Sequence, residues 1–135
     1  MSHRDPLKEI RFDPPEAGWM TCSFSTKDND WAFDISDAVN DPLAMFNDML
    51  DALRHGEEVP VVELFLEPEW VMVSYDRTRE ELTITHKLKG DSFSCGVRSD
   101  ELAYFISMGL KRLKEECVGK VAETDWSYPL FTITL

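Results

Sequence analysis

Apolar and polar side chains alternate without interruption over residues 81–88. The apolar side of this pattern consists of Leu82, Ile84, His86 and Leu88. A period of two is typical of an antiparallel strand that has one face on a core and the other in water. The chain must therefore build a sheet with an apolar face, and other elements must cover that face.

Two segments have the spacing and the end signals of amphipathic helices. In the first, Asp41 fits the N-cap, Pro42 fits the first helical position and Gly56 fits a left-handed C-cap. The second begins at Ser99, with acidic residues in its first turn and basic residues near its end, which complements the helix dipole. Each helix has one apolar stripe, so we expect both to lie on the sheet.

Further alternating segments lie at residues 19–25, 31–36, 62–66, 70–75, 93–97 and 130–135. Short turns between successive strands favour antiparallel pairing. We therefore predict an α+β fold with one mainly antiparallel sheet of about five to seven strands. Both helices are expected on one face of this sheet, in the order ββαβββ(β)αβ. Residues 1–16 are interpreted as an extended lead-in that can hold one edge strand around Ile10 and Phe12, and residues 17–135 as a single α+β domain.

The charge of the chain excludes two classes of partner. It has 26 acidic and 14 basic side chains and a formal net charge of −12, so it repels phosphate backbones and anionic lipid. We therefore expect neither nucleic-acid binding nor binding to a membrane surface. A membrane-spanning helix is not expected either, because no window reaches the roughly 18–20 apolar residues that such a helix needs. The N-terminus does not have the pattern of a secretory signal. Cys22, Cys95 and Cys117 form no paired motif, and we expect a reducing, cytoplasmic location.

Nearly all of the excess charge lies in residues 28–69, which carry twelve acidic side chains and one basic side chain, Arg54, for a net of −11. Asp48 and Asp51 lie on the predicted solvent side of the first helix, and Glu63 and Glu67 come from the strand that follows. These four are our candidate partner-binding residues. A surface of this charge speeds association with a cationic partner and loses that advantage in salt. The other interpretation is a solvated face that only keeps the chain soluble.

His86 is the single candidate for chemistry. Its ring is polar but lies on the apolar side of a strand, where it needs a hydrogen-bond partner. One interpretation is a satisfied core histidine. The alternative is a general base in a pocket, with Cys95 or a carboxylate as its companion. The sequence has no glycine-rich phosphate loop and no metal-ligand spacing, so we predict neither a cofactor nor a metal.

Three motifs in residues 31–70 resemble a loose group of small uncharacterised bacterial proteins. The first is Trp-Ala-Phe-Asp-Ile-Ser at residues 31–36, and the second is a leucine-rich helix at residues 43–56 that ends in glycine. The third is Phe-Leu-Glu-Pro-Glu-Trp at residues 65–70. The small, acidic α+β character is also similar to that of immunity proteins, which neutralise secreted bacterial toxins. Neither resemblance implies catalytic residues.

Two hypotheses follow from the sequence. The first is a non-catalytic interaction protein that binds a basic protein through the acidic segment 28–69, of which an immunity-like inhibitor is one version. The alternative is a small-ligand-binding or enzymatic domain with a pocket near His86 and Cys95. The sequence leaves open whether the chain is a monomer or a homodimer.

Overall fold

A computed structural model describes residues 5–15, 18–36, 41–66, 69–87 and 90–117, which form seven strands and two helices. In chain order these are β1 (Leu7–Phe12), β2 (Trp19–Thr26), β3 (Asp30–Ser36), α1 (Pro42–His55), β4 (Val62–Phe65), β5 (Trp70–Asp76), β6 (Glu81–His86), β7 (Ser92–Gly96) and α2 (Ser99–Glu116). The fold is therefore α+β, as predicted. Within these ranges, neither helix is long and apolar enough to cross a membrane.

The described strands form two antiparallel sheets, so the prediction of a single sheet is wrong. One sheet has the order β1-β2-β3 and the other has the order β4-β5-β6-β7. The described chain order, βββαββββα, also differs from the predicted ββαβββ(β)αβ. The sheets divide where α1 interrupts the succession of strands: β3 and β4 are in contact, but no tight turn pairs them. The predicted last strand, residues 130–135, lies outside the described residues.

The strand β1 is missing from the predicted order because its pattern is irregular. The side chains of Leu7, Ile10 and Phe12 are buried, whereas Lys8 and Glu9 are both exposed. The register with β2 shifts between Leu7 and Glu9, and such a bulge places two consecutive residues on the wet side. The alternation therefore appears only at Ile10 and Phe12, where the sequence indicated an edge strand.

Both ends of α1 and the start of α2 are where the sequence places them. The Asp41 carboxylate accepts a hydrogen bond from the backbone N–H of Ala44 at 3.2 Å, and Pro42 is the first residue of α1. Gly56 ends α1 with φ of 67°, a left-handed conformation that glycine adopts at little cost. The start of α2 at Ser99 also confirms the prediction.

Both sheets and both helices enclose one core. The ring of Phe46 on α1 lies 5.0 Å from that of Phe12 on β1 and 6.4 Å from that of Phe24 on β2. Between the sheets, the Trp31 ring on β3 stacks on Phe93 of β7 with centroids 4.7 Å apart. The helices pack on each other, α2 also contacts β1, and α1 also contacts β4. Helix α1 thus packs against both sheets, whereas α2 packs on α1 and on β1 of the first sheet.

Candidate functional site

The outer side of α1 and the turn after it form an acidic surface. Phe46, Met49 and Leu50 of α1 are in the core, which directs Asp48 and Asp51 to solvent. Two further exposed acids, Glu57 and Glu58, follow the C-cap of the helix. We call Asp48, Asp51, Glu57 and Glu58 the acidic face.

No lysine or arginine of the described residues lies within 4.0 Å of a carboxylate of the acidic face. Arg11, Arg98 and Arg112 each form ion pairs, and the acidic partners of these three arginines lie outside residues 28–69. Arg77 lies next to the acidic face, but its guanidinium donates hydrogen bonds to the backbone oxygens of Ala52 at 3.1 Å and Glu57 at 2.8 Å and not to a carboxylate of the face. The four carboxylates therefore keep their negative charge exposed to a partner.

Asp48 and Asp51 do not stabilise α1, so helix stability is not the reason for their presence. Asp48 and Asp51 are three residues apart on one helix face, where like charges repel and destabilise a helix by about 0.2–0.5 kcal/mol. Aspartate is also among the weaker helix formers. The helix therefore forms despite these side chains, through its buried apolar stripe and its caps.

The other two candidate partner-binding residues are not part of the acidic face. Glu63 lies in β4 between Val62 and Leu64, whose side chains are buried in the core that α1 also lines. Because side chains alternate across a strand, Glu63 points to the sheet face that is turned away from α1. Glu67 lies outside the described residues. The structure therefore brings together Asp48 and Asp51 but separates Glu63 from them.

A second feature is an open cleft of about 590 Å³ beside β3, which contains the predicted His86. It is lined by Trp19, Ala32, Phe33, Asp34, Leu66, Glu69 and His86. The His86 side chain is only 10% exposed, and its Nε2 lies 3.1 Å from Oε2 of Glu69. A carboxylate is therefore the companion that the structure places beside this histidine.

Cys95 is not close to His86. In the pairing of β6 with β7, Cys95 lies opposite Leu82, four residues before His86. At about 3.3 Å per residue, this places it roughly 13 Å along the strand from the histidine. Cys95 is fully buried and does not line the cleft. The two residues of the predicted pocket thus do not form one constellation.

We expect the native protein to be inert towards a thiol reagent such as a chromogenic aromatic disulfide. Cys22, Cys95 and Cys117 are buried and form no disulfide, and burial raises the pKa of the Cys22 thiol, which disfavours the reactive thiolate. The thiols should react at least about 100-fold more slowly in native than in urea-unfolded protein. Fast reaction of one native thiol, assigned to Cys95 by its loss in Cys95→Ala, would show instead that Cys95 is accessible from a pocket.

Sequence reasoning missed the side chains that surround His86 in the cleft. Asp34 and Glu69 belong to the acidic segment, but no periodicity indicates that they meet Trp19 beside one cleft. Among the described residues, no group of three or more His, Cys, Asp or Glu side chains is arranged to hold a metal ion.

Comparison of the chain with protein-family models, with curated proteins and with solved structures finds no match.

Proposed function

We propose that the chain is a non-catalytic interaction protein that binds a basic protein through its acidic segment, residues 28–69. An immunity-like inhibitor of a cationic toxin is one form of this function. The observation that carries the proposal is the acidic face, whose four exposed carboxylates form no ion pair within 4.0 Å with a lysine or arginine in the described part of the chain. A cationic partner supplies the charge that the fold itself does not.

The magnitudes indicate what the acidic face contributes to binding. An exposed ion pair is worth about 0.2–1 kcal/mol, so four such pairs add about 0.8–4 kcal/mol, which is too little by itself for tight binding. A concentrated charge can nevertheless raise an association rate by about 10–10³-fold at low salt. We therefore expect the acidic face to steer the encounter and to select basic surfaces, while other contacts slow dissociation.

The alternative, a ligand-binding or enzymatic pocket at His86 and Cys95, has less support. The contact of His86 with Glu69 in an open cleft is the feature that favours it. The described lining of this cleft includes no cysteine, serine or lysine that the histidine could activate as a nucleophile.

Capture of partners from a lysate of the source cell, with two charge-reversal variants, tests the proposal. Asp48→Lys/Asp51→Lys changes the acidic face, and Asp91→Lys/Glu115→Lys makes the same change in formal charge at two exposed acids elsewhere. We expect the wild type and the second variant to retain the same basic protein at about 50 mM salt and to release it at about 500 mM. Asp48→Lys/Asp51→Lys should retain none of it.

The same variant should be slightly more stable than the wild type, so that misfolding does not explain its loss of binding. Replacing the two aspartates by lysine introduces better helix formers, and we expect the free energy of unfolding to rise by about 0.5 kcal/mol. Urea unfolding of all three proteins measures this. Equal capture by both variants, or capture of no basic protein by the wild type, contradicts the proposed function.

A further inference from the structure

Two carboxylates in the cleft beside β3 are held in place through one oxygen each. Oδ1 of Asp34 accepts a hydrogen bond from the Thr21 hydroxyl at 2.8 Å, and Oε2 of Glu69 contacts Nε2 of His86 at 3.1 Å. No described residue donates a hydrogen bond to the second oxygen of either carboxylate. These side chains therefore present oriented acceptors with free capacity to a ligand in the cleft.

An aromatic surface lies next to these acceptors. Trp19 is 41% exposed, a large fraction for an indole ring. Trp19 and Thr21 share one face of β2, and Asp34 lies opposite Thr21 on β3, so Trp19 and Asp34 are diagonal neighbours on that face. Diagonal neighbours are about 7–8 Å apart, within reach of an aromatic side chain. The cleft thus combines an exposed ring with negative charge, and the described residues that line it include no lysine or arginine.

We infer that this cleft receives an arginine side chain of the basic partner, an inference that rests on the proposed function and names a contact for it. A guanidinium is planar and carries five donors, so it can stack on an aromatic face while it donates to carboxylates. Trp19 provides the face, and Asp34 and Glu69 provide the acceptors. The apolar side chains of Phe33 and Leu66 contact the methylene stem of the arginine. A lysine ammonium cannot stack in this way, so the cleft prefers arginine.

Titration with short blocked peptides tests the inference without knowledge of the partner. The probes are acetyl-Gly-Arg-Gly-amide and the same peptide with lysine or with uncharged citrulline at the central position. The signal is the NMR shift of the Trp19 indole N–H, assigned by its absence in Trp19→Phe. We expect saturable binding of the arginine peptide with a Kd of about 1–10 mM, weaker binding of the lysine peptide and no saturation with the citrulline peptide.

Isosteric variants then locate the binding. Asp34→Asn and Glu69→Gln retain an oxygen that can accept the existing hydrogen bonds but remove the charge, and together they should weaken binding of the arginine peptide at least about 10-fold. Asp48→Lys/Asp51→Lys should change this Kd by less than about twofold at about 150 mM salt, although it abolishes partner capture. Failure of the inference is thereby distinguished from failure of the proposed function.

Three results would overturn the inference. Equal binding of the arginine and citrulline peptides would show that the positive charge does not matter. Unchanged binding by the Asp34→Asn/Glu69→Gln protein would show that the peptide binds elsewhere. Tighter binding of free arginine or of a polyamine than of the peptide would identify the cleft as a site for a small cationic molecule.

Discussion

Phe46→Ala is expected to lower the free energy of unfolding by about 3–5 kcal/mol. The Phe46 ring is fully buried and is in ring contact with Phe12 and Phe24, so it joins α1 to the first sheet. Removing it loses the transfer free energy of the ring and leaves a cavity that the surrounding strands can fill only in part. Because a domain of this kind is stable by about 5–15 kcal/mol, the variant should be close to unfolding.

Urea unfolding of Phe46→Ala measures this loss against Met108→Ala as a control. Met108 is also a large apolar residue on a helix, but it is 44% exposed, and its truncation should change stability by less than about 0.5 kcal/mol. A loss below about 1 kcal/mol for Phe46→Ala would show that Phe46 does not fill the centre of the core.

Gly109→Ala is expected to destabilise the protein by about 1–3 kcal/mol, although alanine is the better helix former. A Cβ at residue 109 of α2 would lie 2.6 Å from the backbone oxygen of Ile10 and 3.2 Å from the Phe12 ring. A backbone oxygen in a paired strand cannot move aside cheaply, so α2 would have to shift away from β1. Gly109→Leu should cost more than Gly109→Ala for the same reason.

The control for this series is Lys111→Ala at an exposed position of the same helix, where we expect a change within about 0.5 kcal/mol. Urea unfolding again provides the measurement. Without the close approach to β1, helix propensity alone would make Gly109→Ala more stable than the wild type by about 1 kcal/mol. That gain would therefore contradict the packing of α2 on β1.

The parts of the fold that depend on neighbouring residues were predictable from the sequence. Asp41, Pro42 and Gly56 determine where α1 begins and ends, because caps depend on side chains within one turn. The division into two sheets was not predictable, because it depends on whether distant strands such as β3 and β4 hydrogen bond across the fold. The sequence indicated an edge strand only around Ile10 and Phe12, because the bulge between Leu7 and Glu9 breaks the alternation at the start of β1.

The candidate site was predictable only in its charge. The acid surplus of residues 28–69 can be counted in the sequence, and helical spacing places Asp48 and Asp51 on the solvent side. The separation of Glu63 from them depends on which face of β4 meets α1, and this is a tertiary property. The sequence indicates that His86 needs a polar partner, but it does not identify that partner. Glu69 is 17 residues away in the sequence, and the fold brings the two side chains together.

The most direct test of the proposed function is the association rate constant of the chain with the basic protein that it captures, measured over a range of salt concentrations. For the wild type and for Asp91→Lys/Glu115→Lys, we predict a rate that falls by at least about 10-fold between about 50 and 500 mM salt. For Asp48→Lys/Asp51→Lys, we predict a slow rate that changes little with salt. A rate with the same salt dependence in all three proteins would contradict a role for the acidic face in binding.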